Sequence, residues 1–153
     1  VVLEQGAGLN DHVRVLDFGL AKLVGQGTPL TVGLAVGTPS YMAPEQLVEG
    51  EVDARVDLYQ VGAVLFELLA GRKPFEADDL PELLRKLQQE QAPRLRALRP
   101  DAGHSAQLDA VLARALAKAP GDRFPSADAM SAALAALPEL SDRKPGPPPG
   151  LPR

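Results

Sequence analysis

Two groups of residues in this sequence have types and spacing that could carry chemistry. Asp17-Phe18-Gly19 closes a β-branched run that starts at His12, and Gly37-Thr38-Pro39-Ser40-Tyr41-Met42-Ala43-Pro44-Glu45 begins 18 residues after Gly19. Taken alone, the tripeptide reads as a strand-ending turn and Asp17 as a turn aspartate. Together the two motifs bracket a segment with Thr28 and Thr31 near its middle. A phosphate on either threonine would add roughly two negative charges and could order the segment against basic side chains. Thr31 is the stronger candidate, and the rival reading of both is a solvent-facing loop threonine. Other chemistries are excluded: the chain has no cysteine, so disulfides, thiolate metal sites and thiol redox chemistry are absent. Gln5-Gly6-Ala7-Gly8 is not a phosphate cradle, because no helix follows it and the fingerprint is incomplete.

Positioning such residues takes a folded core. With 153 residues, 45% apolar and 24% charged, the chain is long enough for one compact domain and too short for two. The net charge is −4, and Arg94, Arg96 and Arg99 are scattered among Leu and Pro rather than aligned, which argues against nucleic acid as a partner. Val1 to Leu3 and His12 to Phe18, separated by Gly6, Gly8 and Asn10, predict a small β-hairpin. Gly19 to Pro44 holds no sustained period and predicts a long loop of the kind that is usually functional. Asp53 is placed to cap a helix beginning at Ala54. That helix is apolar on nearly every face through Val56, Leu58, Val61, Val64, Leu65, Leu68 and Leu69, until Gly71 and Pro74 stop it, so it is expected to lie buried at the centre. Three further helices with polar faces are expected over about 78–89, 105–117 and 126–137. The fold class is mainly α with a short N-terminal β-hairpin. The longest apolar stretch, Val61 to Ala70, is interrupted by Glu67 and is about half of the 20 or so residues a bilayer helix needs, so no membrane segment is expected. From Ser141 to Arg153 there are five prolines and two glycines, which predicts a flexible tail or linker over 139–153 after a domain spanning 1–138.

The order and spacing of these motifs resemble the helical C-terminal lobe of a bacterial-type serine/threonine protein kinase. Asp17-Phe18-Gly19 and Gly37 to Glu45 resemble the two ends of an activation segment. Asp57-Leu58-Tyr59-Gln60-Val61-Gly62 is similar to the start of the family's central helix, and Gly71-Arg72-Lys73-Pro74-Phe75 follows it. Lys118-Ala119-Pro120-Gly121-Asp122-Arg123-Phe124 is similar to the loop before the last kinase helix. The resemblance implies that Asp17 ligates the Mg2+ bridging the phosphates of ATP, a cation that favours hard carboxylate oxygen. It implies that Phe18 packs beneath that site, followed by Gly19. Thr38 would reach the catalytic aspartate, beside the pocket for the substrate residue after the phosphoacceptor. The rival for Thr38 is a hydroxyl bonded to its own turn. Glu45 and Arg123 would form a buried bidentate ion pair. Asp57 would accept backbone amides of the catalytic loop, with a first-turn aspartate favoured by the helix dipole as its rival.

A working kinase of this family also needs a glycine-rich loop, a strand lysine paired with a helical glutamate, and a catalytic loop carrying its base. None precedes Asp17, and Val1-Val2-Leu3-Glu4 lacks an initiator Met and a signal-type leader, so the sequence reads as a piece cut from something longer. The expectation is a fragment of a kinase that transfers the ATP γ-phosphate to protein Ser/Thr, inactive alone, binding neither ATP nor Mg2+, and cytoplasmic unless anchored by segments outside it. The alternatives are a non-catalytic kinase-like scaffold and a plain helical interaction domain. A truncated helical lobe is further expected to expose part of its central helix.

Overall fold

The computed structural model describes residues 2–4, 12–14, 39–48 and 52–138. Asp17, Phe18, Gly19, Thr28, Thr31 and Thr38, and the tail from 139, lie outside the described residues. At the N-terminus β1 (Val2–Glu4) pairs antiparallel with β2 (His12–Arg14), Leu3 standing opposite Val13. Two 3-10 turns follow, Pro39–Tyr41 and Pro44–Leu47, each opening on a proline whose fixed φ suits a first turn.

The helices are α1 (Arg55–Ala70), α2 (Leu80–Gln89), the short α3 (Leu95–Leu98), α4 (Ala106–Ala115) and α5 (Ala127–Ala135). Three of them start on a side-chain cap. Asp79 accepts from the Glu82 amide, Ser105 from the Leu108 amide and Ser126 from the Ala129 amide. The expected cap at Asp53 is shifted by one residue: Ala54 occupies the cap position and α1 starts at Arg55. Asp53 still serves the helix end, because its Oδ1 accepts the Arg55 amide at 2.8 Å, and Arg55 holds its carboxyl below the usual carboxylate range. Gly71 closes α1 in the left-handed conformation, at φ 74°, and donates its amide to Glu67 O at 2.8 Å.

Helix α1 packs on α4, on α3 and on the Pro39–Tyr41 turn, and α2 packs on the Pro44–Leu47 turn. The core they enclose includes Tyr59, Phe66, Phe75, Leu87, Leu95 and Ala115, all essentially buried. Each large apolar side chain so placed contributes roughly 1.5–3 kcal/mol. At the α1–α4 crossing Gly62 lets the backbones close in, since a Cβ there would sit 2.8 Å from the Ala115 Cβ. The helix expected to lie buried at the centre keeps one open face. Leu68 is 72% exposed and Val61 52%, with Val64 and Leu65 only partly covered between them. A run that is apolar all round does not specify which face the rest of the fold leaves uncovered.

Candidate functional site

The described site is the motif ending at Glu45 and the structure that grips it. Its turns are short and proline-led, so they hold their place through side chains reaching to α1 and to the loop before α5. Arg123 is the centre of that grip. Its Nη1 and Nη2 donate to Glu45 Oε1 and Oε2, each at 2.6 Å, across 78 residues of sequence. Its remaining donors go to backbone carbonyls: Nε to Ala117 at 2.8 Å, Nη1 to Arg55 at 3.2 Å and Nη2 to Lys118 at 3.1 Å. All five guanidinium N–H groups are thus used, on a side chain that is fully buried. The guanidinium also lies over the Tyr59 ring, 4.9 Å from its centre.

Two further contacts fix the same segment. Tyr41 donates its hydroxyl to Glu67 Oε2 at 2.5 Å, and this bond, with burial and the charge of Glu67 behind it, pushes the phenol up to about 12. Lys73 stands over the Tyr41 ring at 5.5 Å. Inside the second turn Ala43 donates its amide to Gln46 Oε1 at 2.9 Å, and Gln60 on α1 donates to the same oxygen at 3.2 Å. Ser40, Ala43 and Pro44 are buried, so this stretch is part of the folded body rather than a loop lying on it.

Of the residues singled out from sequence, Glu45 and Arg123 are brought together. Asp57 lies exposed in the first turn of α1 and has no side-chain hydrogen bond among the described residues. Among the described residues no group of three or more Asp, Glu, His or Cys could hold a metal ion. The Mg2+ expectation rests on Asp17, which lies outside the described residues. No helix among them is long and apolar enough to cross a membrane.

Sequence reading missed Tyr41, Glu67 and Lys118. Lys118 donates its Nζ to Leu87 O at 2.7 Å and Lys86 O at 3.1 Å, which are carbonyls of the last turn of α2, and it lies 3.8 Å from the centre of the Phe75 ring. Burial pushes its ammonium down to about 8. The only sequence signal for this role was a lysine close to the Arg123 loop.

Comparison with known proteins gives a consistent picture. Residues 3–134 match the protein kinase domain family. The chain is 40% identical over 141 residues to the serine/threonine-protein kinase pkn3 of Myxococcus xanthus, covering 90% of this chain and 26% of that protein. It is 44% identical over 149 residues to Pkn1 of the same organism, covering 94% of the chain and 21% of that protein. To the serine/threonine-protein kinase PknL of Mycobacterium tuberculosis it is 36% identical over 127 residues, 83% of the chain and 31% of that protein. The chain thus spans between about a fifth and a third of the length of these curated relatives.

Proposed function

We propose, from the premise that this chain belongs to the protein kinase domain family, that it is the helical part of a serine/threonine protein kinase that transfers the ATP γ-phosphate to protein Ser or Thr. In this reading residues 1–138 are domain and 139–153 linker. The observation that carries it is the anchoring of Glu45 by Arg123. The segment from Gly37 to Glu45 is where such a kinase presents its substrate peptide. A peptide-presenting loop works only if it is held rigid, and here it is tied to α1 and to the loop before α5 by a buried bidentate pair.

The other assignments follow the same reading. Mg2+-ATP, when bound, supplies the phosphoryl group and the metal charge that stabilises its transfer. Asp17 offers a carboxylate to that metal, with Phe18 packed beneath the site and followed by Gly19. Thr38 contacts the catalytic aspartate and favours Ser/Thr acceptors. Phosphorylation at Thr31, or at Thr28, orders the segment between the motifs. Asp57 holds the catalytic loop on the N-terminal turn of α1. The partners are protein substrates and ATP, and the domain is cytoplasmic unless segments outside this chain anchor it.

The test is phosphate transfer from labelled ATP by the longer protein containing this chain. Transfer to Ser and Thr is expected, abolished by Asp17→Asn with the fold intact. A folded longer protein without transfer, or one in which Asp17→Asn is fully active, overturns the catalytic reading and leaves the scaffold alternative.

A further inference from the structure

We propose that the cleft between α3 and α4 is a binding site for a phosphate dianion, free or carried on a peptide side chain, with Arg94 and Arg96 as its ligands. The cleft has a volume of about 410 Å³ and is lined by Arg94, Arg96, Ala97, Pro100, His104 and Asp109. That lies within the roughly 300–1,000 Å³ typical of small-ligand sites.

The arginines are what set it apart. Arg55, Arg72, Arg85 and Arg123 each pair with a carboxylate, on Asp53, Glu76, Glu82 and Glu45, and Arg114 lies 4.5 Å from the centre of the Phe124 ring. Arg94, Arg96 and Arg99 have neither kind of partner among the described residues, in a chain with 20 acids to 16 bases, and the first two line the cleft. Two guanidinium groups in the lining of one cleft match the several oxygens of a phosphate better than one carboxylate does.

The other walls bear on the same reading. His104 contributes a ring to the lining, and its Nε2 is enclosed without a hydrogen-bond partner among the described residues. Asp109 is the one acid in the lining, and its Oδ1 accepts the Leu95 amide at 2.8 Å rather than pairing with an arginine. The site owes nothing to the kinase reading, since it lies on helices remote in sequence from Asp17 and from the Gly37–Glu45 motif.

The experiment titrates the chain with inorganic phosphate, with a phosphoserine peptide and with the same peptide unphosphorylated, followed by NMR shifts of the Arg94 and Arg96 side chains. A dissociation constant tighter than about 1 mM is expected for at least one phosphate-bearing probe, and none for the unphosphorylated peptide. Tighter binding of the peptide identifies a phosphorylated segment as the source, and equal binding of inorganic phosphate identifies the free ion. R94A/R96A should weaken binding at least about tenfold, while R72A/R85A, which removes paired arginines, should leave it unchanged. Asp109→Asn keeps an acceptor for the Leu95 amide and should tighten binding. No saturable binding of either phosphate probe, or binding indifferent to R94A/R96A, overturns the proposal.

Discussion

Arg123 has no spare donor, and this makes its surroundings unusually sensitive to single changes. With two N–H groups on Glu45 and three on the Arg55, Ala117 and Lys118 carbonyls, removal of either partner leaves buried polar groups without bonds. Breaking such a pair from one side costs about 3–5 kcal/mol. Glu45→Gln and Arg123→Met are each expected to lower unfolding free energy by that order, and their double-mutant cycle in urea to show coupling of at least about 1 kcal/mol. Additive effects would mean that the two side chains do not act as a pair. Beside them Tyr59 poses the opposite case. It is completely buried, its hydroxyl has no partner among the described residues, and burial raises its pKa. An enclosed hydroxyl without a partner costs about 1–3 kcal/mol by comparison with mutational data. Tyr59→Phe keeps the ring beneath Arg123 and should leave the melting temperature unchanged or raise it; a clear drop would reveal a hydrogen bond that the described structure lacks.

At the scale of elements, what fixes the helices against one another is a small number of close approaches. Gly62 faces Ala115 where α1 crosses α4, and a methyl group at Gly62 meets the Ala115 Cβ at 2.8 Å. Gly62→Ala gains about 1 kcal/mol of helix propensity but strains a packed crossing by about 1–3 kcal/mol, so net destabilisation is expected. Ala115→Gly should rescue it, which a denaturant series on both single variants and the double variant would read directly. The second tie is Lys118, whose folded-state pKa of about 8 lies below the ordinary 10.5 because burial disfavours the ammonium, with Glu90 opposing and Arg123 adding to the shift. Below about pH 8 both folded and unfolded chains hold this proton. Between about 8 and 10.5 the unfolded chain holds it and the folded chain has released it, so this group makes stability rise with pH through that window. The difference in unfolding midpoint between the wild type and Lys118→Met should grow in favour of the wild type between about pH 8 and 10. A constant difference would show that Lys118 keeps its proton as an ordinary lysine does. These ties also mark where sequence reading stopped. The helices over about 78–89, 105–117 and 126–137 were legible from their period, while the caps at Asp79, Ser105 and Ser126 are local bonds that the structure adds. Helix α3 was missed because four residues cannot display a period. The Gly62–Ala115 approach and the reach of Lys118 to α2 depend on how helices meet, which spacing along the chain does not encode. Glu45 and Arg123, 78 residues apart, were paired through the family resemblance alone, while Tyr41 and Glu67 carried no such signal.

For the whole molecule the unresolved force is the open face of α1. Val61 and Leu68 are two turns apart on one side of the helix, with Val64 and Leu65 partly exposed between them, and Leu68 has nearly three quarters of its surface in solvent. Contiguous apolar surface on a central helix is unusual in a soluble monomer and favours association with any apolar surface that meets it. The sequence reading foresaw an exposed side on this helix, but not which residues would form it. Because Val61 and Leu68 make little of the core, placing lysine at both should change unfolding free energy by no more than about 0.5 kcal/mol each, the usual range for exposed positions. The same V61K/L68K change should lower the binding of a dye specific for apolar surface and reduce light scattering by the concentrated chain. In the longer protein the outcome depends on what lies against α1. If further chain covers this face, the lysines would be buried there without partners, and the double substitution should destabilise the longer protein by several kcal/mol while leaving this chain almost untouched. Measuring both proteins side by side separates the cases. Equal small effects in the two would show that the face stays open in the longer protein, and a large loss already in this chain would show that Val61 and Leu68 are more deeply packed than their exposure indicates.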